Sequence, residues 1–289
     1  MHSPDDVGGF GPRTSAPSAM VAGRPIAPFW NYYGGKWRVA PRYPAPRYST
    51  IVEPFAGAAG YSLRYADRRV ILVEANPVVA GVWRWLIAST PADVLAIPEV
   101  DHVDELPDSL CQEARWLVGF SLNDGTTMPR KSLAAGRRRL RDKGRHFEGW
   151  CAARRARIAA QVECIKHWQI IEGDYTAAPA VEATWFVDPP YQVAGKYYPH
   201  RLAPADYEPL GAWCREQHGQ VMVCEALGAD WLPFIHFHVA KAGPTRQRHA
   251  EAIWTNEELP STDGAAPPRT SLPLTSGVSA ACRTESKNR

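Results

Sequence analysis

The chain has 289 residues, 45% of them hydrophobic and 22% charged, with a formal net charge of +3. That apolar share excludes a disordered protein, and the length suits one large domain or a domain carrying an insert. No apolar run approaches the ~20 residues of a membrane-spanning helix. Residues 1–24 lack the basic-then-apolar start of a secretory signal. Six cysteines stand apart, with no Cys-x-x-Cys pair. Neither a disulfide framework nor a metal site is expected, and the thiols read as reduced.

In chain order, residues 1–24 are rich in Gly, Pro and Ser, and residues 256–289 in Pro, Ser, Thr and Ala. Both are expected to be disordered tails, because they bury too little surface to offset the entropy of ordering. Between them, 25–88 and 150–255 read as one domain, interrupted by an inserted subdomain at 89–149. Residues 49–55 read as a strand ending at a Gly-rich turn, 61–66 as a helix and 70–73 as a second strand. Residues 77–87 read as a second helix, with Pro at a tolerated first-turn position. After the insert, 168–171, 184–187 and 220–224 read as buried strands, and 203–216 as a helix. His236 and His238 alternate along a further strand. This alternation implies a mostly parallel sheet covered on both faces.

Charge is unevenly placed. From Arg130 to Arg157 there are eleven Lys or Arg against two acids, Asp142 and Glu148. A solvated helix face would look similar, but so dense a patch also suits contact with a nucleic-acid backbone. The candidates are Arg130, Lys131, Arg137, Arg138, Arg139, Arg141 and Lys143, with Arg145 in the same run.

Three motifs carry chemistry. In the first, Val52-Glu53-Pro54-Phe55-Ala56-Gly57-Ala58-Ala59-Gly60, small residues follow a buried strand, so backbone can pass close to a ligand and a helix can open. Twenty-one residues beyond Glu53 comes Glu74, in Val73-Glu74-Ala75-Asn76. An acid at that spacing can accept hydrogen bonds from both hydroxyls of a ribose. With no G-x-G-x-x-G and no phosphate loop, a nucleoside-type ligand fits better than a pyrophosphate.

The second motif, Trp185-Phe186-Val187-Asp188-Pro189-Pro190-Tyr191, delivers an acid to the carboxyl end of a strand and stiffens the turn beyond it. An amino group conjugated to a purine is a poor nucleophile. Bonds from its N–H groups to Asp188 and to a backbone carbonyl of the turn draw it toward a tetrahedral, more reactive geometry. Tyr191 can stack on the base and hold it in line with a donor. The third motif, Tyr32-Tyr33-Gly34-Gly35-Lys36, is a tight turn flanked by an aromatic and a cation. It reads as an ordinary turn or as part of the ligand site just upstream of the first strand.

In this order the motifs resemble the Dam-type (D12 class, α group) DNA adenine-N6 methyltransferases, from about residue 28 to 225. The resemblance implies a Rossmann-like S-adenosylmethionine-dependent sheet with an inserted helical target-recognition subdomain. It implies methyl transfer to adenine N6 in double-stranded DNA after base flipping, and a cytoplasmic setting in a bacterial or phage-infected cell. Restriction-modification is one role it admits. Carried over by position, Tyr32, Gly34, Gly35 and Lys36 border the cofactor, and Glu53, Pro54, Phe55, Gly57 and Asn76 line it. Glu74 holds its ribose, Asp174 and Tyr175 lie beside its adenine, and Asp188 is shared with the catalytic turn of Pro189, Pro190 and Tyr191. Tyr32 replaces the family's frequent Trp, and Glu74 its frequent Asp. Tyr197 and Tyr198, shortly after the catalytic turn, can either hold the DNA strand or pack on the sheet. Transfer to cytosine N4, and a non-catalytic nucleic-acid-binding module, are the alternatives. Cys224-Glu225 ends a strand at the active-site edge, but cytosine-C5 chemistry would need a Pro-Cys loop, which this chain lacks.

Overall fold

The computed structural model describes residues 25–123, 125–143, 149–192, 198–242 and 247–257. The expected tails at 1–24 and beyond 257, together with Arg145 and Tyr197, lie outside the described residues.

Seven strands build one sheet: β1 (Thr50–Glu53), β2 (Arg69–Glu74), β3 (Gln169–Glu172), β4 (Ala183–Val187), β5 (Gly219–Ala226), β6 (Ile235–Ala242) and β7 (Gln247–Thr255). Their order is β3-β2-β1-β4-β5-β7-β6. The first five run parallel, and β7 inserts antiparallel between β5 and β6. This is the expected Rossmann-like α/β sheet. All five residues of β4 and four consecutive residues of β2 are buried, as strands covered on both faces require.

Six helices accompany the sheet: α1 (Pro77–Ala88), α2 (Pro91–Ala96), α3 (Gln112–Leu122), α4 (Ala135–Asp142), α5 (Ala152–Val162) and α6 (Tyr207–Glu216). Leu210 and Cys214 of α6 join Val52, Trp185, Val187 and Val221 in one core cluster. On the opposite face Tyr61 stacks on Phe186, centroids 4.4 Å apart and rings 3° from parallel. The start of α1 is set by Asn76, whose Oδ1 accepts the Val78 N–H at 3.0 Å, with Pro77 in the first turn. Helix α3 closes against α1, and Phe120 stacks on Trp30, which in turn meets Trp83.

Four expectations about elements are corrected. The helix at 61–66 is a single 3-10 turn, Ser62–Tyr65. Only three residues separate that turn from β2, so the chain enters the strand before a second helical turn forms. The helix at 203–216 divides into a 3-10 turn, Pro204–Asp206, and α6. Strand β7 was not read from the sequence, because its polar start, Gln247-Arg248-His249, hides the apolar residues that follow. Finally, the chain remains attached past 255. Asn256 accepts the Val221 N–H at 2.9 Å and donates to the Gly219 carbonyl at 2.9 Å, and Glu257 pairs with Arg47 at 3.1 Å.

Candidate active site

Strand β1 lies between β2 and β4, so the chain leaves in opposite directions on either side of it. Open α/β sheets bind ligands at such a switch point, beyond the carboxyl ends of the strands. There the ends of β1, β2 and β4 present Glu53, Glu74 and, one residue past β4, Asp188. All three border one cleft, open to solvent, at that edge of the sheet.

Every residue expected to line a cofactor borders this cleft: Tyr32, Gly34, Gly35, Lys36, Glu53, Pro54, Phe55, Gly57, Glu74, Asn76, Asp174, Tyr175 and Asp188. Pro190 borders it as well, whereas Pro189 and Tyr191 of the same turn do not. The sequence reading missed Tyr198, Pro199, His200 and Leu202, which complete the wall. They follow the Asp-Pro-Pro-Tyr turn with no spacing that marks them, although the Tyr197-Tyr198 pair was a signal.

The floor at β1 and β2 is built from backbone donors and carboxylates. Glu74 accepts the Gly57 N–H at 2.8 Å and the Asn76 N–H at 2.9 Å. Burial raises its pKa, and those N–H groups oppose the rise. Gly57 is at φ 46°, and a Cβ there would press on the Tyr32 ring at 3.2 Å, so glycine is needed twice over. Glu53, 2% exposed, accepts the Ser62 N–H at 2.7 Å. Burial pushes its pKa up to about 8, so it carries a proton at neutral pH. Phe55 and Tyr175 stack with centroids 5.8 Å apart on one side of the cleft. Asp174 caps the turn before Tyr175 by accepting the Thr176 N–H at 2.9 Å.

The other end is an ion pair. Lys36 Nζ lies 2.8 Å from Asp188 Oδ1, with side chains 7% and 20% exposed. The same ammonium donates to the Gly34 carbonyl at 3.2 Å and sits 4.8 Å from the centre of the Tyr191 ring. Burial works against the Lys36 charge, but Asp188 and Glu251 outweigh it and hold its pKa above the ordinary lysine value. Gly34, at φ 75°, brings the backbone under Tyr198, and a Cβ would collide with that phenol oxygen. Tyr198 in turn donates its hydroxyl to the Tyr33 carbonyl at 2.9 Å. Burial pushes the Cys224 thiol far up, leaving it unreactive as a nucleophile.

The basic run separates into two groups. Arg130, Lys131, Arg138, Arg139, Arg141 and Lys143 are exposed and Arg137 is half-buried, most of them on or beside α4. Asp101 anchors two of them, meeting Arg141 at 2.5 and 2.9 Å and Arg138 at 3.6 Å. Arg154 and Arg155, counted in the same run, have other work. Arg154 is 3% exposed, and Arg155 donates to the Leu95 and Ile97 carbonyls and pairs with Glu99 at 2.9 Å. Those two are internal braces, so they leave the phosphate-contact account. Among the described residues no His/Cys/Asp/Glu cluster could hold a metal ion, and no helix is long and apolar enough to cross a membrane.

Strand order and cleft together define a Rossmann-like α/β sheet with a candidate ligand site at its switch point. Neither known family models nor curated sequences match the chain. Solved structures similar to it include a conserved hypothetical protein of Streptococcus pyogenes, at 12% identity over 72% of this chain and 86% of that one, TM-score 0.30. A second, yhhF of Escherichia coli, named as a candidate methyltransferase, is 10% identical over 73% and 76%, TM-score 0.29. A third, the rRNA methyltransferase aviRa of Streptomyces viridochromogenes, is 15% identical over 83% and 88%, TM-score 0.32. At these scores the likenesses carry no weight, and the fold is defined by this chain's own strand order.

Proposed function

We propose that this chain transfers a methyl group from S-adenosylmethionine to N6 of adenine in double-stranded DNA, with the target base turned out of the stack. One observation carries the reading: a ribose-type acid, Glu74, and an amine-type acid, Asp188, border one and the same cleft. The cleft fits the cofactor. Gly57 leaves room for close approach, the Glu74 carboxyl faces the same cleft, and the Phe55–Tyr175 stack offers a flat apolar wall for a purine. When bound, S-adenosylmethionine supplies an electrophilic methyl group on a sulfonium.

The chain's own residues then do the following. Glu74, with its carboxylate already oriented by two backbone N–H groups, accepts the ribose hydroxyls. Lys36 opposes the rise that burial imposes on the Asp188 pKa, and the Asp188 carboxyl oxygen accepts a hydrogen bond from the nucleobase amine. The Pro190 carbonyl already accepts from the Tyr207 hydroxyl at 2.7 Å. A backbone carbonyl of the Pro189-Pro190 turn accepts the amine's second N–H. Exposed cations of and beside α4 supply phosphate contacts that set affinity without selecting sequence.

The test is methyl incorporation into unmethylated DNA, followed by mass spectrometry of the nucleosides. The expected product is N6-methyladenine, and Asp188→Ala abolishes it while largely preserving cofactor binding. N4-methylcytosine overturns the choice of base. An Asp188→Ala variant as active as the parent removes the catalytic assignment.

A further inference from the structure

The turn that leaves β4 is gripped by side chains remote in sequence. Gln192, just past it, donates its N–H to Glu225 Oε2 at 3.1 Å, and the same oxygen accepts the Trp231 indole N–H at 3.1 Å. The Tyr191 hydroxyl donates to Glu251 Oε2 at 2.7 Å across 60 residues of sequence. Both acids come from the antiparallel edge, where Glu225 pairs with Ala252 and Ala226 with Glu251.

These contacts differ in what they can control. Glu225 holds backbone beyond the turn. Glu251 holds the far end of a ring whose body is fixed to the chain at Cβ, so it pins the direction of the ring's long axis, and because a phenolic O–H prefers the ring plane it also favours one tilt of the face. A hydroxyl-to-carboxylate bond is among the stronger hydrogen bonds available to a neutral donor. The ring also meets the Lys36 ammonium at 4.8 Å, so the carboxylate at its rim and the cation beside it act on the same plane. A phenylalanine would fill the same volume but leave its tilt to packing alone. Neither Tyr191 nor Glu251 borders the cofactor cleft.

We infer that Glu251 is a positioning residue that acts through the Tyr191 hydroxyl, orienting the ring on which the acceptor base stacks. The inference rests on the methyltransferase reading above. It assigns catalytic work to β7, the strand that interrupts the parallel sheet.

The experiment is a double-mutant cycle on the full chain with Tyr191→Phe, Glu251→Ala and their combination, plus Glu251→Gln. Steady-state methyl transfer to unmethylated DNA gives kcat, and titration gives cofactor affinity. Each single variant is expected to lower kcat about tenfold, the scale of one charge-assisted hydrogen bond. The combination loses no more than either single change, and cofactor affinity does not move. Glu251→Gln keeps most of the activity, because its amide oxygen accepts the same O–H. Additive losses, a Glu251→Ala variant with parental kcat, or failure of Glu251→Gln to rescue would overturn the inference alone. A parent chain that methylates no DNA overturns the underlying reading and the inference with it.

Discussion

The Lys36–Asp188 pair offers the sharpest measurement. Lys36→Met removes the cation and keeps much of its volume, leaving the Asp188 carboxylate in a site whose side chains are 7% and 20% exposed. Breaking a buried pair from one side costs about 3–5 kcal/mol, because the remaining charge loses its compensation. For a domain of this size each kcal/mol moves Tm by roughly 2–4 °C, so a fall of about 6–20 °C is expected at neutral pH. The loss also depends on pH. Burial already raises the Asp188 pKa, and Lys36 opposes that rise. Without Lys36 the folded state keeps a proton that the unfolded chain releases. Stability of the variant therefore falls relative to the parent as pH climbs above the ordinary carboxylate range, and the two converge in acid. The combination Lys36→Met/Asp188→Leu removes both charges and is expected to recover at least half of the single-variant deficit. Urea unfolding followed by tryptophan fluorescence from pH 4 to 9 reads all three curves. A Lys36→Met variant within ~1 kcal/mol of the parent at pH 7, the scale of an exposed ion pair, would refute the argument. So would a double variant whose losses simply add.

Two more outcomes follow from buried and exposed charge. Glu53 has its pKa pushed to about 8 by burial, so the folded protein binds a proton the unfolded chain lacks across the range from ordinary carboxylate values to 8. Stability thus declines over that range and levels off above it. Glu53→Gln keeps an oxygen for the Ser62 N–H and is expected to stabilise the protein at pH 9 by up to roughly 5 kcal/mol, with little effect at pH 4. An unchanged pH–stability curve in that variant would show that Glu53 is ionised in the fold. On the surface, replacing Arg137, Arg138 and Arg139 together by Ala is expected to weaken DNA binding and reduce the slope of log K against log salt by about 2–3. Arg155→Ala, which loses a brace to the loop after α2, lowers Tm and leaves that slope unchanged. Equal slopes in the triple variant and the parent would make α4 a solvated face.

Much of the cleft was legible because its residues lie in contiguous strings. Glu53 to Gly60, Glu74 to Asn76 and Asp188 to Pro190 each follow a run of buried apolar residues, and a parallel strand delivers whatever follows it to one edge of the sheet. The strand order then brings three such edges together. Tyr198 and His200 were not legible as wall residues, since nothing in their local sequence records that the chain doubles back over Gly34. Arg155 looked like Arg139 by charge alone, yet the first meets two backbone carbonyls and the second faces solvent. The helix expected at 61–66 failed for a local reason of another kind: the short segment completes a single 3-10 turn and then enters β2 three residues later.

From the amino-acid order alone came the alternating α/β architecture, the reach of each motif and the chemistry its side chains could perform, because hydrophobic periodicity and motif spacing are local properties. Only the tertiary structure decided that Lys36 neutralises Asp188 and that Glu251 grips Tyr191. Each contact joins strands or turns far apart in the chain, and folding energy, not sequence proximity, puts those charges within 3 Å of their partners.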